Sequence, residues 1–151
     1  MRRFLSTFVG SACYMGYFPF ASATFASFVW LLFYLLLPGG HWLSRPFLLI
    51  FIIPLAIVVS REMEREHGED SSRIVIDEVA GMHVTFALVE PSIAVGIVGF
   101  ALFRIFDIVK PFPINRSQRI GGGVGVVLDD IIAGLYARIV LLAVMNLTGL
   151  A

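Results

Sequence analysis

The sequence predicts an all-α protein that crosses a membrane several times, and three observations lead to this fold class. Of the 151 residues, 58% are hydrophobic and the mean hydropathy is +0.90, whereas apolar residues make up about 45–50% of an ordinary soluble domain. The apolar residues are gathered in runs of helical length. Several runs end at prolines, which cannot continue a helix. We therefore predict a single membrane domain over residues 1–151.

Five apolar runs are the predicted membrane helices. They cover residues 23–37, 47–59, 75–89, 92–109 and 124–147. A spanning helix needs about 20 residues, so the first three runs are short, and the first either crosses the membrane or folds back into it. The second is expected to continue beyond the membrane as the polar segment REMEREHG.

Positive charge predicts the orientation of these helices. Lys and Arg side chains precede the first run, separate the second from the third, and separate the fourth from the fifth: Arg2, Arg3, Arg61, Arg65, Arg73, Lys110, Arg116 and Arg119. Because cytoplasmic loops are enriched in such residues, we place the amino terminus in the cytoplasm. The zero net charge gives no basic surface for nucleic acid. The single cysteine excludes a disulfide within the chain and a multi-cysteine metal site.

Charged residues within apolar segments are the strongest indication of function. A charge at the bilayer centre costs about 2.5–3.5 kcal/mol on insertion scales. Three such groups occur in the segments GGGVGVVLDDIIAGLY, IVIDEVAGM and FRIFDIVKP, and they comprise Asp129 with Asp130, Asp77 with Glu78, and Arg104 with Asp107 and Lys110. The predicted orientation places all three groups at one depth near the cytoplasmic face. We therefore expect them to form one site.

The residue types in these groups point to phosphate chemistry assisted by a metal ion. Carboxylates brought together from several helices suit a hard divalent cation such as Mg²⁺. Arg104 and Lys110 are suited to bind a phosphate group. No nucleophile motif is visible in the sequence, so attack by water on a phosphate ester, assisted by the metal, fits these residues best.

The sequence leaves several alternatives open. Adjacent helical residues point about 100° apart, so either member of each acidic pair can be the ligand. Arg104 and Asp107 alone would also be explained as an intrahelical ion pair, and Asp77 with Glu78 as first-turn acids on a helix dipole. Intramembrane carboxylates also mark ion pathways, so the alternative function is a small ion-coupled transporter. The grouping of the acids on one side favours an enzyme at the membrane surface.

Three motifs resemble the phosphatidylglycerophosphatase A family. They are IVIDEVAG (74–81), FRIFDIVKPFPI (103–114) and GGGVGVVLDDIIAGLYA (121–137), in this order. A weaker match is GYFPFASATFAS (16–27), in which Thr24 is kept while Ser22 and Ala23 replace the usual Pro-Gly. Asp70 also matches an acidic position of the family pattern.

The resemblance implies a Mg²⁺-dependent phosphatase of the bacterial inner membrane. Its substrate would be phosphatidylglycerophosphate and its products phosphatidylglycerol and phosphate, formed on the cytoplasmic side. On this reading Asp77, Glu78, Asp129 and Asp130 are the candidate metal ligands, and Arg104, Lys110 and Thr24 bind the substrate phosphate. Asp77, Asp107 and Asp129 are the candidate catalytic residues; Asp107 would bind metal, orient Arg104 or activate water. Asp70 is a second-rank candidate.

Overall fold

The computed structural model describes residues 2–36, 46–68, 71–117 and 120–150, and all regular elements in these ranges are helical. The all-α fold class is therefore confirmed. The α-helices are α1 (Arg2–Gly10), α2 (Ser22–Leu36), α3 (Leu49–His67), α4 (Ile76–Thr85), α5 (Ile93–Val109), α6 (Ile114–Ser117) and α7 (Gly122–Thr148). Short 3-10 turns at Met15–Tyr17 and Pro46–Leu48 precede α2 and α3.

The five predicted runs correspond to α2, α3, α4, α5 and α7, but these helices differ in length. Two helical segments, Pro46–His67 and Gly122–Thr148, are long and apolar enough to cross a membrane. The helices α2 and α5 have 15 and 17 residues, or about 22 and 26 Å at 1.5 Å per residue. The polar residues REMEREH continue α3 as one helix, as the sequence predicted.

Helix α4 is shorter than the predicted run 75–89. It has ten residues, about 15 Å, against a hydrocarbon thickness of about 30 Å. Nine of the ten residues are buried, because α2, α3, α5 and α7 all contact this helix. Its apolar character therefore reflects burial inside the protein. Sequence hydropathy does not distinguish such burial from contact with lipid.

Glycines allow α4 and α7 to cross closely. A Cβ atom on Gly134 would collide with the carbonyl oxygen of Gly81, and one on Gly81 would lie 2.8 Å from the carbonyl oxygen of Asp130. The hydroxyl of Thr85 adds a hydrogen bond of 3.0 Å to the Gly81 carbonyl. Small residues permit this kind of close helix packing.

Candidate metal and phosphate site

A cluster of three buried carboxylates lies where α4 crosses α7. Asp77 and Glu78 are in the first turn of α4, and Asp130 is the ninth residue of α7. One carboxylate oxygen of each residue lies within 4.8 Å of the other two. All three side chains are at most 7% exposed. Both members of the pair Asp77-Glu78 thus reach the cluster, whereas only one member of the α7 pair does.

The carboxylate cluster has the donor set that a divalent cation requires. Within the described part of the chain, Asp77 Oδ1, Glu78 Oε2 and Asp130 Oδ2 are buried and have no hydrogen-bond partner. Buried polar atoms are normally paired, and three carboxylates of like charge repel one another at this distance. A hard cation that takes oxygen ligands would satisfy the free oxygens and offset the repulsion. The residues therefore fit Mg²⁺.

Asp129 is not a member of the carboxylate cluster and pairs with Lys110. Its Oδ2 accepts a hydrogen bond of 2.7 Å from Lys110 Nζ, and its Oδ1 accepts one of 3.2 Å from the backbone N–H of Asp130. The neighbouring aspartates of α7 thus have different surroundings, as their angular separation on the helix predicted. The structure gives Asp129 a cationic partner and Asp130 two carboxylate neighbours.

The backbone after α5 brings Lys110 to this position. Lys110 ends α5 in the left-handed conformation, with φ of 46°, and its N–H donates to the Phe106 carbonyl at 2.9 Å. The Tyr136 hydroxyl of α7 donates to the Phe112 carbonyl at 3.0 Å and holds the following turn. Burial alone would lower the pKa of Lys110, but the hydrogen bond to Asp129 and the nearby carboxylates raise the pKa above its usual value. Lys110 is therefore a cation at neutral pH.

Arg104 and Asp107 form an ion pair beside the carboxylate cluster. Arg104 Nη1 lies 2.7 Å from Asp107 Oδ2, and both side chains are 13% exposed. The distance is short, but Arg104 Nη1 and Nε are buried without a hydrogen bond of normal geometry in the described residues. Asp107 also lies close enough to interact electrostatically with Asp77 and Asp130. The guanidinium therefore keeps donors for a further anion next to the clustered acids.

The surroundings of Thr24, a predicted phosphate-binding residue, are apolar. Thr24 lies in the first turn of α2 and lines a shallow apolar groove with Phe20, Phe25 and Phe100. Among the described residues it makes no hydrogen bond to the charged groups of the site. Asp70 lies outside the described residues.

Comparisons with known proteins agree with the motifs. The sequence model of the phosphatidylglycerophosphatase A family matches residues 8–145. The chain belongs to the phosphatidylglycerophosphatase A family. It is therefore a lipid phosphatase of a family of membrane enzymes, as the sequence predicted, and this membership favours an enzyme over the transporter alternative. The roles of individual residues stay predictions.

Curated relatives are similar to this chain over different lengths. A Bacteroides thetaiotaomicron protein with the provisional name phosphatidylinositol-3-phosphatase is 38% identical over 91% of this chain and 92% of its own length. Phosphatidylglycerophosphatase A of Escherichia coli is 30% identical over 81% of this chain and 73% of its own. The Haemophilus influenzae enzyme of the same name is 41% identical over 50% of this chain and 47% of its own. No solved structure matches the chain.

The structure also shows supporting residues that sequence reasoning missed. Tyr136 holds the turn that follows Lys110, and Phe103 packs against Gly81 at the helix crossing. Thr85 bonds to the α4 backbone at the same crossing. Phe103 and Tyr136 stand at the ends of two of the charged segments, and Thr85 lies outside them. None of the three is itself charged, so their side chains give no signal before the helices are assembled.

Proposed function

We propose that this protein hydrolyses the phosphate monoester of phosphatidylglycerophosphate, in a Mg²⁺-dependent reaction, to phosphatidylglycerol and inorganic phosphate. The observation that carries the proposal is the cluster of three buried carboxylates with free oxygens, bordered by two cationic side chains. Family membership supports the reaction class and the substrate. The pathway would be bacterial phospholipid synthesis.

Asp77, Glu78 and Asp130 would hold the metal ion, because one carboxylate oxygen of each lies within 4.8 Å of the other two and each side chain has a buried oxygen without a hydrogen-bond partner among the described residues. When bound there, Mg²⁺ would supply positive charge against the phosphoryl oxygens and favour deprotonation of an attacking water molecule. In this proposal Asp129 positions Lys110 and is not a ligand. This choice between the two aspartates rests on the pairing of Asp129 with Lys110.

Arg104 and Lys110 would bind the phosphate oxygens of the substrate. A planar guanidinium suits two phosphate oxygens. The Arg104 Nε is buried without a hydrogen-bond partner among the described residues, and Asp107 holds the group in place through Nη1. Lys110 would contribute a point charge whose position Asp129 fixes. Water attacks phosphorus, the bond from phosphorus to the ester oxygen breaks, and that oxygen takes a proton to become the hydroxyl of phosphatidylglycerol.

We also propose a multi-pass arrangement in the bacterial inner membrane with the site on the cytoplasmic side. The long apolar helices α3 and α7 would cross the bilayer. The helices α2 and α5 would complete a four-helix enclosure around the buried α4. The positive side chains of the loops that border the site support a cytoplasmic amino terminus.

A second substrate is favoured by one specific observation. The Bacteroides relative, which is similar over 91% of this chain, is named after activity on phosphatidylinositol 3-phosphate. Both candidate lipids carry a phosphate monoester on the head group beyond the phosphodiester. The proposed metal and phosphate-binding residues would contact the same kind of phosphate monoester in both lipids. The rates of hydrolysis of the two lipids must therefore be compared directly.

The test is phosphate release by the purified full chain in detergent micelles. Each lipid is supplied with Mg²⁺ or with EDTA. We expect release from phosphatidylglycerophosphate that EDTA abolishes and that Asp130→Asn lowers by about a hundredfold or more, since it removes a charged ligand. Glu62→Gln is the matched control, because Glu62 pairs with Arg65 on the polar end of α3. It should keep full activity.

Each failure has a separate meaning. If folded protein releases no phosphate from either lipid, the proposed function is wrong. Release from phosphatidylinositol 3-phosphate alone would reassign the substrate. Activity that is unchanged in EDTA would refute the requirement for a metal ion. Full activity of Asp130→Asn would show that this residue is not a metal ligand.

A further inference from the structure

The amino-terminal segment carries an aromatic surface that the proposed reaction does not use. Its members, which we call the N-terminal aromatic surface, are all between 37% and 61% exposed: Phe4, Phe8, Tyr14, Tyr17 and Phe18. Four of the rings contact one another in succession, with centroids 6.3 Å apart for Phe4 and Phe8, 5.9 Å for Phe8 and Tyr14, and 5.7 Å for Tyr14 and Tyr17. The result is a continuous strip of rings that faces outward.

The opposite side of α1 is fixed to the protein. Arg3 Nε lies 3.2 Å from Glu66 of α3, and Gly10 packs directly against Met63. Helix α1 therefore has one face on α3 and one apolar face without a partner in the described residues. With nine residues, about 14 Å, it is too short to cross a bilayer.

Next to the N-terminal aromatic surface, α1 borders a candidate membrane helix across a mostly apolar groove. A groove of about 510 Å³ runs between α1 and α3, and most of its lining is apolar: Leu5, Ser6, Val9, Leu55, Val58, Val59 and Glu62. Leu55 and Val58 are 46% and 66% exposed on α3, a helix long enough to cross the membrane. Lipid that surrounds α3 would thus reach α1 without interruption.

We propose that the N-terminal aromatic surface lies in the plane of the cytoplasmic leaflet and anchors the protein there on anionic lipid. Short helices with an apolar face and basic residues bind membrane surfaces in this way, and Tyr rings favour the interface. The charge is complementary, because the Arg73 guanidinium lies 5.1 Å above the Tyr17 ring and would meet lipid phosphates.

The anchor is joined to the loop that begins α4. The Val75 N–H donates to the Gly10 carbonyl at 2.9 Å, and the Ser22 hydroxyl donates to the Ser72 carbonyl at 2.7 Å. Val75 directly precedes α4, two residues before Asp77. The depth of α1 in the leaflet therefore sets the height of the carboxylate cluster relative to the lipid phosphates. This consequence for catalysis rests on the proposed function, whereas the anchoring itself does not.

The first experiment measures depth and needs no activity. In a Cys13→Ser background, Phe8→Cys carries a nitroxide label in vesicles that contain anionic phosphatidylglycerol, and Arg65→Cys is the control on the polar end of α3. We expect the label at residue 8 to collide with oxygen and not with a water-soluble nickel complex, and the control label to show the reverse. Nickel access at residue 8 would overturn the proposal. Protection from both reagents with spin–spin broadening would assign this face to a second copy of the chain and also overturn it.

The second experiment separates anchoring from catalysis. The double substitution of Phe4→Ser with Phe8→Ser should lower hydrolysis of long-chain lipid in these vesicles about tenfold and change hydrolysis of a short-chain, monomeric lipid phosphate less than about twofold. Replacing both residues by leucine keeps the surface apolar and should leave both rates unchanged. If hydrolysis of both substrates falls by the same factor, the loss of membrane anchoring is not the cause of the lower rate. If the native chain hydrolyses neither substrate, the proposed function fails while the label measurement still decides the anchor.

Discussion

Replacing Gly81 by alanine should disturb the site by pushing α4 away from α7, without changing any charged side chain. A Cβ at this position would lie 2.5 Å from Phe103 Cε2 and 2.8 Å from the carbonyl oxygen of Asp130. Phe103 is fully buried, so its ring cannot easily move aside. Ordinary contact begins near 3.4 Å, and α4 must therefore move about 0.6 Å from the Asp130 backbone.

The displacement acts on the carboxylate cluster, because Gly81 lies one turn after Asp77 on the same helix. Overpacking of this kind costs about 1–3 kcal/mol of stability. A misplacement of about 1 Å can cost about a hundredfold in rate. A shift of about 0.6 Å should then lower the rate of phosphate release by about tenfold. Substituting Phe103→Leu in the Gly81→Ala protein should restore part of the stability but not the rate, since the clash with the Asp130 carbonyl stays.

The assay is phosphate release in saturating Mg²⁺, together with the thermal unfolding midpoint in detergent. Gly96→Ala is the matched control on α5, because its nearest atoms are the flexible methyl groups of Leu31 and Leu35 at 3.0–3.3 Å. We expect the control to keep its activity and its unfolding midpoint. If Gly81→Ala is as active as Gly96→Ala, the reasoning that links the helix crossing to the site is refuted.

Three further predictions concern Lys110, Arg104 and the turn that follows Lys110. Lys110→Met should lower kcat/KM about tenfold or more. In a double-mutant cycle its effect should couple with that of Asp129→Asn by about 1–3 kcal/mol. Additive effects of the two substitutions would mean that the ion pair between Lys110 and Asp129 has no role in catalysis. Arg104→Lys should lower kcat/KM about tenfold, because a point charge does not replace the planar guanidinium, and an unchanged value would exclude two-pronged phosphate binding. Tyr136→Phe should reduce the free energy of unfolding by about 0.5–1.5 kcal/mol through loss of its hydrogen bond, and calorimetry that detects no loss would contradict this.

The sequence was sufficient for the parts of this protein that depend on composition and on periodicity. The apolar runs and their prolines located α2, α3, α5 and α7 to within a few residues. The energetic cost of intramembrane charge singled out the carboxylates that the structure brings together. The length of α4 was not predictable, because its apolar side chains are buried against other helices and hydropathy does not distinguish such burial from contact with lipid. Helix α1 was not predicted either, since its nine residues are too few to give a clear periodic signal.

The choice between neighbouring side chains also required the structure. Asp129 and Asp130 are equivalent in sequence, and only the left-handed turn at Lys110 brings a cation to one of them. Thr24 was singled out through a family motif, but its surroundings are aromatic. For Asp129 the deciding contact comes from Lys110, 19 residues earlier in the chain, and local sequence pattern carries no information about such a contact.

The site contains more carboxylates than cationic side chains. In the described part of the chain it gathers five carboxylates, of Asp77, Glu78, Asp107, Asp129 and Asp130, and two cationic side chains, of Arg104 and Lys110. Each cation is already paired with one carboxylate, and these pairs leave out the three members of the cluster. A buried cluster of unpaired like charges is strongly unfavourable. A divalent cation would neutralise most of this excess and leave Arg104 and Lys110 in place to attract a phosphate group, so removal of metal should weaken both phosphate binding and the folded state.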